Sequence, residues 1–140
     1  MKKKVVRTVT GIIIVSLICF ISVAALGCAT ESNDSRIKYS GKVVTAKLGE
    51  NPTTGYEWAV SIEGSSLKVL DDKYVQDFWG WGKSGVGGTH TFRFEGVSEG
   101  TAYVHMVYER WWEPSDYNTR IVIRVETASD GTIKNVVVNP

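Results

Sequence analysis

Few side chains in this chain have the type and spacing to do chemistry, and each has a plainer reading. The mature region offers only His90 and His105, and neither has a metal-spaced neighbour or an adjacent nucleophile. Both read as ordinary strand residues, His105 on the polar face of its strand. The acids stand singly except Asp71-Asp72, which reads as a turn, so no carboxylate pair is set up for acid/base work. No strained Gly-x-Ser-x-Gly elbow supports a nucleophilic serine. Gly80, Gly82, Gly85, Gly87 and Gly88 are numerous, but they do not join a strand to a helix as a phosphate cradle requires. The residues point to a protein that is not an enzyme and that needs no metal and no cofactor.

The cysteines belong to a different chemistry. Lys2, Lys3, Lys4 and Arg7 precede an almost wholly apolar run from Ile12 to Leu26, which ends in Ala24-Ala25-Leu26-Gly27-Cys28. A basic start, an apolar middle and small residues before a cut describe an export signal over residues 1–27. The apolar run is shorter than the roughly 20 residues of a membrane-spanning helix, though Val9 to Leu26 is only marginally short, so an uncleaved N-terminal anchor is the alternative to a cleaved signal. Ala25-Leu26-Gly27-Cys28 resembles the lipobox of prokaryotic lipoproteins, with the leucine one place closer to the cysteine than is usual. Cys19 leaves with the signal, so Cys28 has no partner for an internal disulfide, and lipidation accounts for a lone cysteine in an exported chain. Several acyl chains anchor stably where one does not. The expected location is outside the cell membrane, held by lipid at Cys28, or secreted if Cys28 stays bare.

Loss of the signal leaves 12 basic against 15 acidic groups, a net charge of −3 with histidine neutral. With no basic patch interleaved with aromatics, nucleic acid is not an expected partner. Residues 28–35 are polar and unpatterned and read as a tether. Asn33-Asp34-Ser35 matches a glycosylation sequon, which matters only in a host with that machinery.

The folded part, expected over residues 36–140, reads as strands throughout. Val43 to Leu48 and Tyr56 to Val60 are apolar or aromatic runs, and Leu67 to Leu70 and Tyr74 to Phe78 flank Asp71-Asp72. Phe92 and Phe94 share a face in the next run. Ala102, Val104, Met106 and Tyr108 alternate with more polar neighbours, as do Ile121, Ile123 and Val125. Period-two alternation with one polar face marks half-buried antiparallel strands. The alternation leaves residues 131–138 open between a last strand and a loose tail. The fold class is all-β, an antiparallel sandwich of immunoglobulin-like size, and nothing demands more than a monomer.

Three loops between those strands are unusual. Asn51-Pro52-Thr53-Thr54-Gly55 combines a fixed proline φ, a glycine able to take positive φ, and three side chains that bond nearby backbone. It is conformationally prescribed yet carries no catalytic group. Trp79 to Gly88 is glycine-rich. Arg110-Trp111-Trp112 stands at a strand end, where successive side chains point to opposite sides, so at least one tryptophan is exposed and the other can cap the core.

Asn-Pro-Thr-Thr-Gly-Tyr at 51–56, Gly-Val-Gly-Gly at 85–88 and Arg-Trp-Trp at 110–112 together resemble the signatures of the chagasin family, immunoglobulin-like inhibitors of papain-like cysteine peptidases. The resemblance spans residues 36–127. Trp111 stands where the family usually has proline, a departure that bears on loop rigidity and potency more than on target class. The resemblance implies a three-part wedge at one end of the sandwich. Asn51, Pro52, Thr53, Thr54 and Gly55 would bind the peptidase, with Thr53 nearest its cysteine and Thr54 beside it. Gly85, Gly87 and Gly88 would run along the cleft, and Arg110, Trp111 and Trp112 would grip the far side. A competing expectation is an exported carbohydrate- or surface-binding module that stacks sugars on Trp79, Trp81, Trp111 and Trp112. A third is a purely structural lipoprotein domain.

Overall fold

The computed structural model describes residues 30–78 and 85–140. The export signal, Cys28 and the Trp79–Ser84 part of the glycine-rich loop, with Trp79 and Trp81, lie outside the described residues. In chain order the strands are β1 (Thr30–Glu31), β2 (Ile37–Ser40), β3 (Val43–Glu50), β4 (Glu57–Glu63), β5 (Leu67–Gln76), β6 (Gly88–Gly96), β7 (Gly100–Glu109), β8 (Thr119–Thr127) and β9 (Ile133–Val138). They form two antiparallel sheets, β1-β2-β3-β6-β5 and β4-β7-β8-β9. This is the expected immunoglobulin-like antiparallel β-sandwich.

The period-two pattern explains the core directly. Val44, Ala46 and Leu48 on β3 share the buried face with Phe92 and Phe94 on β6. Ala102, Val104 and Met106 on β7 and Ile121, Ile123 and Val125 on β8 fill the facing layer. Each buried Val, Leu, Ile or Phe contributes roughly 1.5–3 kcal/mol. Val136 and Val138 close the layer from β9, so residues 133–138 are a strand and not a loose tail.

Two expectations are corrected. Asp71-Asp72 is not a turn. β5 runs unbroken from Leu67 to Gln76, and a register shift between Val69 and Asp71 absorbs the irregularity. A bulge bends a strand and tightens its twist without ending it, and two adjacent carboxylates at a sheet edge give the same polar signal as a turn. The described part of the stretch expected as a tether, residues 30–35, also joins the fold. Thr30 and Glu31 pair with Tyr39 and Lys38. The Asn33 side-chain amide both donates to Val138 O (3.1 Å) and accepts from Val138 N–H (2.8 Å), as a neighbouring strand would.

Register sets the position of the site. Glu50 pairs with Gly88, and Gly88 with Gln76, in one sheet, while Glu57 pairs with Glu109 in the other. The β3–β4, β5–β6 and β7–β8 connections therefore leave from one end of the sandwich. Asn33→Ala removes both bonds to Val138 and leaves its backbone groups unmatched, which costs about 1–2 kcal/mol. Urea unfolding of the variant checks this. An unchanged midpoint would restore the tether reading.

Candidate functional site

The first loop is a single 3-10 turn, Pro52–Thr54, closed by Gly55 at φ 78°. Proline stands where a helical turn has no use for its missing N–H. Thr54 N–H and Thr54 Oγ1 both donate to Asn51 O, at 3.1 and 2.7 Å, and Gly55 N–H donates to Pro52 O at 2.9 Å. Thr53 Oγ1 donates to Asn51 Oδ1 at 2.6 Å. Thr53 and Thr54 themselves are exposed at the tip. At Gly55 any side chain is costly. Its φ is left-handed, and a Cβ there would lie 2.5 Å from Trp112 Cη2.

Asn51 and Arg110 join the three loops. Asn51 Nδ2 donates to Gly85 O at 3.1 Å, which fixes the first loop to the second. Asn51 N–H donates to the Tyr108 hydroxyl at 3.0 Å, beneath the loop. Arg110 Nε donates to Thr54 O at 3.1 Å, its Nη1 lies 3.0 Å from Glu113 Oε2, and its guanidinium sits 4.5 Å over the Tyr56 ring. Glu113 N–H donates to Arg110 O, closing a tight turn around the two tryptophans. Trp111 and Trp112 are 79% and 55% exposed. Neither caps the core, which corrects the expectation that one would. Trp58 fills that place, its Nε1 donating to Gly49 O at 3.0 Å.

The expected glycines divide in role. Gly85 is exposed at the rim and Gly87 half-buried. Gly88 is buried, and a Cβ on it would run into the β5 backbone at Val75 and Gln76. It supports the loop from within the sheet. The ring planes of Trp111 and Trp112 meet at 85° with centroids 5.5 Å apart. That edge-on pair does not make the flat platform on which a sugar ring stacks.

One group of residues went unforeseen. His90 is not an ordinary strand residue. Its Nδ1 lies 2.7 Å from Glu50 Oε2, its Nε2 contacts Asp72 Oδ1, and its ring stacks on Phe92 at 4.0 Å. Glu50 is 6% exposed, a carboxylate at the end of an apolar row. The sequence carried the signal in its alternation. His90 continues Phe92 and Phe94, and Glu50 continues Val44, Ala46 and Leu48. His105, by contrast, lies on the exposed face near Glu63, as expected. Among the described residues no cluster of His, Cys, Asp and Glu could hold a metal ion.

An exposed, internally bonded three-loop rim on an all-β sandwich defines a protein that binds another macromolecule by a preformed surface. A family model described as "Chagasin family peptidase inhibitor I42" matches residues 39–125. The chain belongs to the chagasin family, and it is a peptidase inhibitor and not an enzyme. Amoebiasin-1 of Entamoeba histolytica is 37% identical over 79 residues, 56% of this chain and 74% of that protein. Among solved structures, the cysteine protease inhibitor EhICP2 from Entamoeba histolytica aligns with a TM-score of 0.49 at 20% identity, over 69% of this chain and 77% of that one. Amebosin aligns with a TM-score of 0.45 at 30% identity, over 69% and 79%.

Gly55→Ala strains the backbone and pushes against Trp112. A loss of about 1–3 kcal/mol is expected, with a shift in tryptophan emission as Trp112 is displaced. Thermal melts and fluorescence of the variant test this, and an unchanged spectrum would mean that Trp112 does not depend on Gly55.

Proposed function

We propose that this protein is a reversible inhibitor of papain-like cysteine peptidases that occludes the substrate cleft with the loops at 51–55, about 80–88 and 110–113. The observation that carries the reading is the bonding of the loops to one another through Asn51–Gly85 and Arg110–Thr54, with Thr53 and Trp112 left exposed. A rim already rigid loses little conformational entropy on docking. Thr53 enters nearest the catalytic cysteine, Thr54 and Gly55 pass beside it, Gly85 and Gly87 follow the cleft by backbone pairing, and Trp112 stacks against an aromatic of the enzyme. Because the 3-10 turn folds its carbonyls back on Gly55 and Thr54, the loop offers no extended scissile bond.

Papain titrated with the chain from Ala29 onward is inhibited stoichiometrically under this reading. Trp112→Ala raises Ki about 30-fold, corresponding to a buried hot-spot tryptophan of roughly 2 kcal/mol. Thr53→Trp abolishes inhibition because the bulky side chain at the exposed tip keeps the loop out of the cleft. If a folded parent chain leaves papain active at micromolar concentration, the inhibitory reading fails. If both variants inhibit like the parent, the wedge assignment fails alone.

The location is proposed on the same terms. Export and lipid attachment at Cys28 put the inhibitor, as a monomer, on the outer side of the cell membrane. Cys28→Ser then blocks fatty-acid labelling and moves the protein from the membrane to the soluble fraction. Membrane retention of the unlabelled variant would argue for an uncleaved anchor instead.

A further inference from the structure

We propose that Glu50 is the positioning residue of the 51–55 loop, and that it holds the loop firmly only while His90 carries its second proton. Glu50 immediately precedes Asn51. Its Oε2 accepts from Trp58 N–H at 3.1 Å, just past the far end of the same loop. Glu50 belongs to β3 and Trp58 to β4, so one carboxylate oxygen closes the base of the loop across the gap between the two sheets. The same oxygen meets His90 Nδ1, and the other ring nitrogen meets Asp72 on β5.

The chemistry of the ring makes this contact conditional. A neutral imidazole has one N–H and only the imidazolium donates from both nitrogens. Flanked by two carboxylates, His90 satisfies both only when charged. Among the described residues, the groups that face it are Glu50 from β3 and Asp72 and Tyr74 from β5, the Tyr74 ring 6.2 Å away and edge-on. Asp77 and the Tyr108 hydroxyl on β7 act on Tyr74 together with Glu50. Phe92 covers one ring face. Burial works against the charged form and is the largest single influence, yet the bonds and charges of Asp72 and Glu50 together outweigh it. His90 therefore titrates above its ordinary 6.5.

A raised histidine pKa contributes stability that is fully present below about pH 6.5 and is lost as pH rises through the folded value. Past that point either neutral tautomer leaves the buried Glu50 carboxylate without an opposite charge. The single N–H that remains can serve Glu50 or Asp72 but not both, so the contact with Glu50 loses its ion pair or its proton. The loop loosens at its base while the sheets stay paired.

The test follows the His90 ring and the backbone amides of Asn51, Thr53, Thr54 and Gly55 by NMR in the full chain, from about pH 5.5 to about 9. The amides are expected to shift with the midpoint of His90, and the shift is expected to vanish in His90→Gln. Amides that stay flat, or that still shift in His90→Gln, overturn the proposal. A second arm rests on the inhibitory reading. Ki for papain is measured for the parent and for Glu50→Gln, whose amide still accepts from Trp58 but carries no charge. Taking the ratio of the two at each pH cancels the peptidase's own titration. The parent is expected to be about tenfold the better inhibitor at acid pH and to lose that lead above the His90 midpoint. A ratio constant with pH overturns the role of Glu50 in inhibition. Absence of inhibition at every pH strikes the inhibitory reading, and the amide titration then decides the clip by itself.

Discussion

Between Glu50 and Glu57 the chain leaves one sheet and enters the other, and over that crossing its backbone has no strand to pair with. Unpaired backbone groups must find partners or stay in water. Asn51 resolves most of the problem alone. Its N–H goes to Tyr108, its carbonyl takes Thr54 twice, its side-chain amide reaches Gly85, and its side-chain carbonyl takes Thr53. An aspartate would lose the donor to Gly85, and a glutamine would not reach with the same turn. The rim is rigid because a single residue satisfies the crossing and ties two loops in the same act.

The same reasoning explains how the chain manages with Trp111 where the family resemblance leads one to expect a proline. A proline stiffens a loop by removing backbone freedom before folding. Here Arg110 supplies stiffness after folding, with one edge on Thr54 O, one on Glu113 and its face on Tyr56. A lysine has neither the fork nor the plane for this. The third loop is thus held by the first as well as by its own Arg110–Glu113 turn, and Trp112 lies over Gly55.

The strands of the core were legible because burial on one face imposes a period of two, which Val44-Ala46-Leu48 and Ile121-Ile123-Val125 display without interruption. The site was legible through its loops, since Asn51-Pro52-Thr53-Thr54-Gly55 states its conformation locally. What the sequence concealed were features settled by distant partners. Asp71-Asp72 has turn-like chemistry, and only pairing with Arg93 and Phe92 keeps it extended. Asn33 looks like tether until Val138 is beside it. Glu50 and His90 are polar, so an alternation read by hydropathy alone ends at Leu48 and begins at Phe92, one step short at each.

That single step decides how the core ends. A buried ionic group seldom adds net stability, and an apolar residue of similar volume often does as well or better. An apolar residue at position 50 would extend the row of Leu48. It would also strand the Trp58 N–H at the point where β3 and β4 diverge, at about 1–3 kcal/mol for the unmet donor. A neutral acceptor would meet that donor but would leave His90 facing Asp72 with no counterpart inside. The carboxylate answers both demands, and the imidazolium offsets its burial. The loop that carries no catalytic group is therefore held at its base by the three charges that most resemble a catalytic set, Glu50, His90 and Asp72. Their geometry points them at one another and at the backbone of Trp58, so their electrostatics are used up in positioning.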